Sequence, residues 1–334
     1  MGAFPLELDT LPMEATLVKD LPEQDGGWQY EPKWDGFRCL AFKFGDLVEL
    51  RSKSGKSLSR YFPEVVQLLQ GTKIERFVID GELVVRINDH LSFEELQMRL
   101  HPAASRVNRL SSERPANLIA FDLLVDPEVG AVLHRELEAR RQGLEALLAS
   151  TRPKGLILSP ASRSLQQARD WLRPNGYADT DGVIAKRLDQ PYLPGERAML
   201  KVKRVRTADC VVGGFRYGVD THQVASLLLG LYADDGLLHH VGFTSALSSQ
   251  NKRDLTVRLE NIRTGVSFTG KAPGAPSRWS GNRSSEWNPV RPELVVEVKF
   301  DHVTGGRFRH GTSFNRWRPD KSPLQCTFDQ LENS

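Results

Sequence analysis

The sequence predicts an α+β fold in two parts: a mixed domain of helices and antiparallel strands over residues 1–205, and a small β-barrel over 206–334. Three observations carry this. At 334 residues the chain is long enough for two separate cores. Its 40% hydrophobic and 26% charged content is ordinary for a globular protein. From Thr207 onward the texture changes to apolar runs separated by glycines.

Taken in order, Trp28 to Glu31 reads as a strand, and the alternating runs Cys39–Phe44 and Leu47–Arg51, joined by Gly45-Asp46, read as a hairpin. Pro63 opens a short amphipathic helix. Arg76–Asp80 and Glu82–Ile87 read as two strands around Gly81. Ser92-Phe93-Glu94-Glu95 has the capping pattern of a helix running to Leu100. Asn117–Val125 is apolar enough for a buried strand, Arg135–Leu148 and Leu165–Leu172 are helical by period, and Gly182–Arg187 and Ala198–Val202 are strands. Beyond Thr207, strands are expected at Ala208–Phe215, Val224–Tyr232, Leu237–Phe243 and Leu294–Phe300, with one helix at Ser249–Asn261. That order suggests an oligonucleotide-binding (OB) barrel. Gly270–Pro289, rich in Gly, Pro and Ser, reads as a long loop, and Lys203–Thr207 as a hinge between the two parts.

Global charge decides little. Residues 1–205 hold 29 basic and 29 acidic residues and the remainder 16 and 13, for a net +3. A nucleic-acid surface must therefore come from local patches, seen at Arg51–Arg60, Arg99–Arg114, Lys201–Arg206 and Arg307–Lys321. Cys39, Cys210 and Cys326 lack metal-ligand spacing and are expected to be reduced thiols. The amino terminus has no basic and apolar leader, and no later segment is apolar enough to span a bilayer, so a cytoplasmic location is expected.

The most informative segment is Lys33-Trp34-Asp35-Gly36-Phe37-Arg38. A lysine amine attacks phosphorus only when neutral, so it needs a cationic neighbour or a metal to lower its pKa from about 10.4. Arg38 is such a neighbour, provided that Asp35-Gly36 makes a tight turn, with glycine supplying positive φ, and brings Lys33 and Arg38 to one pocket. On its own the segment more often describes an exposed turn between strands.

Five further segments complete a nucleotide site. Asp80-Gly81-Glu82 places a carboxylate where it can accept from ribose hydroxyls, and Asp181-Gly182 offers an oxygen ligand suited to Mg²⁺. Either carboxylate could also be simply solvated. Phe121 is a core residue or a ring on which a nucleobase stacks. Lys201 and Lys203 fall on one strand face, which suits phosphate. Near the end, Arg318-Pro319-Asp320-Lys321 gathers cations in a turn, or forms a mere basic tail.

In this order the residues resemble the covalent nucleotidyltransferases, specifically the ATP-dependent DNA ligases, with the small bacterial repair ligases called ligase C as the nearest pattern. The resemblance spans Glu31 to Lys321. It implies an antiparallel-sheet nucleotidyltransferase domain, related in style to ATP-grasp ligases, followed by an OB-fold barrel. It implies that the enzyme uses ATP and Mg²⁺, or Mn²⁺, to seal 3′-hydroxyl/5′-phosphate nicks in duplex DNA through lysyl-AMP and DNA-adenylate intermediates. Lys33 would carry the adenylate, Glu82 would bind ribose, Phe121 would stack on adenine, and Glu31 would lie near the exocyclic edge. Arg38 and Arg51 would contact the nucleotide and the 5′-phosphate. Asp35 would assist the 3′-hydroxyl step, and Lys201 and Lys203 would hold the α-phosphate.

Arg318, Asp320 and Lys321 would orient pyrophosphate, and Glu82 and Asp181 would face the metal. One departure is visible: ligases usually carry Glu at Asp181, and the shorter side chain reaches a metal less directly. Basic side chains Arg106 and Arg109 in a loop, with Arg307 and Arg309, are expected to grip nicked DNA. The resemblance further implies a monomer that works in DNA repair near the nucleoid with a polymerase or end-binding factor. An RNA ligase or GTP-dependent capping enzyme shares the lysyl-nucleotide chemistry, and a non-catalytic nucleic-acid-binding module would use the barrel alone.

Overall fold

A computed structural model describes residues 4, 6–23, 27–88, 90–151, 154–173, 180–204, 206–219, 221–247, 251–274 and 286–332. The chain forms two compact units, Met1–Arg204 and Val205–Ser334.

The first unit is built on two sheets. Strand β1 (Glu14–Leu17) lies parallel to β9 (Arg197–Lys203), which pairs antiparallel with β8 (Thr180–Arg187), and β8 pairs antiparallel with β2 (Trp28–Trp34). The second sheet runs β4 (Leu47–Ser52), β3 (Phe37–Phe44), β5 (Arg76–Ile87) and β6 (Ala116–Asp126), with β7 (Leu156–Leu158) parallel to β6. Parallel edges thus interrupt a largely antiparallel design. The two strands expected around Gly81 are one twelve-residue strand, because a bulge at Asp80/Gly81 absorbs the glycine without ending the ladder.

Helices α1 (Pro63–Gln70) and α4 (Leu137–Thr151) cover the second sheet and bury a core of Leu50, Phe62, Leu69, Phe77, Ile79 and Leu144. Ser92 caps α2 (Phe93–Met98) by accepting from the Glu95 amide, and that helix stops two residues short of the expected Leu100. Residues 104–113, expected as a basic loop, form helix α3 (Ala104–Glu113), whose Val107 and Leu110 are buried. The basic composition hid an amphipathic period. Helix α5 (Leu165–Leu172) packs through Ala168 and Trp171 on Tyr30 and Val183.

In the second unit, β10 (Arg206–Tyr217), β11 (Val224–Tyr232), β12 (Leu238–Ala246), β13 (Val295–Phe300) and β14 (Thr312–Trp317) close on themselves. The order is β10–β11–β12–β14–β13 and back to β10, with only β12–β14 parallel. This is a five-stranded barrel of the OB type. Its interior is aliphatic, with Val211, Leu227, Leu229, Val241 and Val296 fully buried. Helix α6 (Lys252–Glu260) follows the cap Asn251, which accepts from Arg253 and Asp254 amides; Ser249, where the helix was expected to begin, lies outside the described residues. So do residues 275–285 of the expected long loop, and its last two residues, Asn288–Pro289, instead pair with Gly214 and Phe215. Val205, at the centre of the expected hinge, is likewise outside them. All three cysteines are free and buried. Among the described residues no helix is long and apolar enough to cross a membrane.

Candidate active site

The Lys33–Arg38 segment carries the chain from one sheet of the first unit to the other. Lys33 ends β2 and Arg38 begins β3, and Asp35-Gly36 between them is a bend. Gly36 is not in the positive-φ region, contrary to expectation. Close approach is what demands glycine: a Cβ there would lie 2.2 Å from the Leu83 carbonyl oxygen, and the Gly36 amide donates to Glu82 Oε1 at 3.1 Å. Gly182 beside Asp181 is constrained in the same way, since its Cβ would lie 2.1 Å from the Val202 carbonyl oxygen.

These crossings open a cavity of about 180 Å³ lined by both sheets, including Glu31, Lys33, Arg38, Glu82, Phe121, Lys186 and Lys201. Six of its lining residues are thus ones that the sequence singled out for the nucleotide. Trp34, Val84, Ile119 and Phe121 pack together as an apolar wall. The Phe121 ring has the Arg38 guanidinium 4.7 Å and the Lys186 ammonium 4.8 Å from its centroid.

Lys33 Nζ donates to Asp181 Oδ2 at 2.7 Å and Oδ1 at 3.1 Å. Burial pulls its pKa down, but Asp181, with Glu82 and Asp35 behind it, more than offsets this and holds the ammonium above its usual value. Arg38 does not act as the expected activating cation. Its Nε and Nη2 each donate to Asp80 at 2.6 Å, and Tyr192 adds a hydroxyl donor at 2.6 Å to the same carboxylate. Arg38 also donates to the Met13 carbonyl, whose amide donates to Tyr192. Its charge is therefore largely spent on Asp80 and fixes the guanidinium in place.

Burial raises the Glu82 carboxyl to about 7, although Arg38 and Lys33 oppose the shift. Burial also lowers the Lys201 pKa, and the neighbouring Lys33, Lys53 and Lys203 charges reinforce it. Glu14 opposes the shift without reversing it. Lys201 lines the cavity; Lys203, two residues on along β9, is not among the lining residues.

Glu31 is 2% exposed, and its Oε1 accepts from both Gln29 Nε2 at 2.7 Å and Lys186 Nζ at 2.9 Å. Lys186 also donates to the Phe121 carbonyl. Neither Gln29 nor Lys186 was singled out from sequence. Gln29 sits two residues before Glu31 on the same strand face, a period-two signal that would have found it.

Other expected residues lie elsewhere. Arg51 is not brought to this cavity: it pairs with Glu49, donates to the Gly55 carbonyl and lines a separate shallow hollow with Leu8 and Leu11. Arg99, counted in a basic patch, is buried against Glu64 at 2.6 Å and cannot meet a ligand. Arg106 and Arg109 are exposed on α3, where Glu113 lies 3.9 Å from Arg109. In the second unit, Arg307 is exposed and its Nη2 meets His240 Nδ1 at 3.1 Å, while Arg309 is half-buried. Arg318 and Lys321 both bond to Asp209, and Arg318 also bonds to Asp320.

Residues 12–203 match the family described as ATP dependent DNA ligase domain, and residues 220–321 match ATP dependent DNA ligase C terminal region. The chain is 42% identical over 340 residues to DNA ligase C1 of Mycolicibacterium smegmatis, covering 98% of this chain and 95% of that protein. It is 31% identical to the multifunctional non-homologous end joining protein LigD of Mycobacterium bovis, covering 96% of this chain and 40% of that longer protein. A solved Lig E DNA ligase, 18% identical, shares the fold with a TM-score of 0.53, covering 91% of this chain and 99% of that one. A cavity that gathers Lys33, Lys201, Glu82 and Phe121 is thus found in a chain that ligase family models match over most of its length: this protein belongs to the ATP-dependent DNA ligases.

Proposed function

We propose that Lys33 is the residue adenylylated by ATP and that the cavity around it is the nucleotide site of a nick-sealing cycle. The observation that carries this is the placement of Lys33 Nζ beside Asp181 in one cavity with Lys201, Glu82, Phe121 and Glu31. Asp181 Oδ2, at 2.7 Å, is positioned to receive the proton that Lys33 must lose before its nitrogen attacks the α-phosphorus. As the N–P bond forms, the P–O bond to pyrophosphate breaks. Lys201 and Lys203 offset charge on the α-phosphate. Glu82 accepts from ribose, Phe121 packs against adenine, and Glu31 accepts from the exocyclic amine through Oε2, because Oε1 is occupied by Gln29 and Lys186. The adenylate then passes to the 5′-phosphate of the nick, and the 3′-hydroxyl, assisted by Asp35, displaces AMP.

Mg²⁺, or Mn²⁺, fits this site as a shared ligand. Among the described residues no group of three His, Cys, Asp or Glu gathers to form a protein cage. Glu82 and Asp181 give one or two carboxylates, the donor set that Mg²⁺ takes when phosphates and water supply the rest. When bound, the ion would neutralise developing phosphoryl charge.

In this reading residues 1–205 are the adenylation domain and residues 206–334 the OB domain, with Arg318, Asp320 and Lys321 serving pyrophosphate departure. Arg106, Arg109, Arg307 and Arg309 contact DNA phosphates. Likeness to an end-joining relative supports a role in DNA repair, as a cytoplasmic, nucleoid-associated monomer that works with a polymerase or end-binding factor. The test is mass spectrometry after incubation with Mg²⁺ and either ATP or GTP. An AMP adduct on Lys33 is expected; an adduct on another residue, or formed with GTP alone, overturns the proposal.

A further inference from the structure

We propose that Asp209 is a positioning residue for the first chemical step, holding Arg318 and Lys321 together as one prearranged unit for the triphosphate tail. This rests on the reading of Arg318 and Lys321 given above and adds the group that organises them. Asp209 stands near the start of β10, about a hundred residues before either cation. Its Oδ1 and Oδ2 accept from Arg318 Nη1 at 2.9 and 2.8 Å, and Oδ2 also accepts from Lys321 Nζ at 2.8 Å. One carboxylate therefore ties both cations of the turn to the barrel wall.

The carboxylate is itself held. The Asp209 amide donates to Gln330 Oε1 at 2.9 Å, and Gln330 Nε2 returns a bond to the Asp209 carbonyl at 3.1 Å, so a short helix (Asp329–Glu332) clamps this point of the strand. The Asp209 side chain is 11% exposed, whereas that of Asp320, which takes Arg318 Nε and Nη2, is 63% exposed. The two carboxylates thus have different standing. Asp320 is an exposed, exchangeable partner that leaves one edge of the guanidinium available when it swings away. Asp209 is the fixed anchor on the other edge, and it sets the spacing between the guanidinium and the ammonium. Glu297 also lies 4.0 Å from Arg318 Nη1 but is itself paired with Arg316, so removing Asp209 would leave Lys321 without its anchoring carboxylate and Arg318 with the exposed Asp320 and this longer contact. Misplacement of a positioning group by about 1 Å costs on the order of 10²-fold in rate.

The experiment uses the full chain with Asp209→Asn, Asp209→Glu, Arg318→Ala and the double variant Asp209→Asn/Arg318→Ala. Two rates are measured: lysyl-adenylate formation with ATP and Mg²⁺, and sealing of a nick supplied already adenylated. Asp209→Asn, which keeps shape but weakens the anchor, should slow adenylate formation by roughly 30- to 100-fold while changing sealing less than about threefold. Asp209→Glu should recover part of the loss. The double variant should be no slower in the first step than Arg318→Ala alone, because the anchor acts through the residue already removed. An unchanged first step in Asp209→Asn, an equal loss of both steps, or additive losses in the double variant would each overturn the role of Asp209. If Arg318→Ala itself leaves adenylate formation intact, the assignment of the cationic turn to pyrophosphate departure fails instead.

Discussion

The two cation clusters of this ligase are built on opposite terms. In the first unit, Lys186 and Glu31 are each 3% exposed, and Asp80 is fully buried beneath Arg38. In the second unit, Arg318 and Asp209 are 18% and 11% exposed, and Asp320 is 63% exposed. Breaking a buried pair strands a charge and costs about 3–5 kcal/mol, whereas an exposed pair is worth about 0–1 kcal/mol. The interior cluster therefore behaves as fixed architecture around the cavity. On the barrel only the solvent-facing Arg318–Asp320 pair can exchange partners cheaply, while Asp209 stays fixed, as the proposed role of the cationic turn in pyrophosphate departure requires.

The largest effect should come from Lys33, the lysine proposed to carry the adenylate. Lys33→Ala is expected to abolish the AMP adduct while leaving nick binding intact, measured by intact mass and by a DNA-binding titration. Persistent adduct formation would mean that the reacting lysine lies elsewhere, with Lys53, Lys186 and Lys201 as the other lysines lining the cavity. Next in size is the cost of breaking the interior architecture. Lys186→Met removes the cation that bonds Glu31 and the Phe121 carbonyl, and should lower unfolding free energy by about 3–5 kcal/mol, read by denaturant titration. Asp320→Asn, which breaks the solvent-facing pair with Arg318 on the barrel, should cost less than about 1 kcal/mol. Equal costs would erase the distinction between the two clusters.

These contrasts also explain what could be read from sequence. The cations were legible because each sits in a short contiguous motif: Lys33 and Arg38 in one hexapeptide, Arg318 and Lys321 in one turn. Their long-range pairings were not, even where a partner such as Asp181 was itself singled out, since the fold brings those carboxylates from far along the chain. Asp80 reaches Arg38 across 42 positions, Asp209 reaches Arg318 across 109, and Asp181 reaches Lys33 across 148. Strand positions were legible through alternation, and the barrel through its glycine-spaced runs. Arg99 was misread for the same reason that Asp209 was missed: its partner Glu64 stands on another helix, so a locally basic stretch concealed a buried pair. Arg51 was carried over by resemblance and the hairpin directs it away from the cavity, to Glu49 and Gly55.

A smaller effect tests the electrostatics of the interior. Because Glu82 is raised to about 7 from an ordinary value of 4.5, the folded protein binds its proton more readily than the unfolded chain does between those pH values. Glu82 thus favours the folded state most below pH 4.5, loses that advantage as pH rises towards 7, and contributes a constant cost above it. Glu82→Gln removes the titration. Its melting temperature relative to the parent protein should therefore shift upward between pH 5 and pH 8, while adenylate formation falls for want of the ribose acceptor. A relative melting temperature that stays flat or shifts downward over that range would show that Arg38 and Lys33 stabilise the ionised carboxylate more than burial opposes it.

The smallest effect concerns side chains that belong to neither cluster. Arg106 and Arg109 project from α3 into solvent, and the contact of Arg109 with Glu113 at 3.9 Å is an exposed helical pair worth about 0.3–0.5 kcal/mol. Their replacement with alanine should leave stability and Lys33 adenylylation essentially unchanged. If they neutralise DNA phosphates, each lost contact releases one fewer set of condensed counterions, and the slope of log affinity against log salt should become shallower by roughly 0.9 per residue. A double variant would then show a slope shallower by about 1.8, with the loss of nick binding greatest at low salt and nearly absent at high salt. Arg99, only five residues before α3 in a basic stretch of sequence, supplies the control: buried against Glu64, it should leave the slope untouched and act through stability alone. A slope unchanged by Arg106→Ala and Arg109→Ala would remove the exposed face of α3 from the DNA footprint and leave the grip to the barrel.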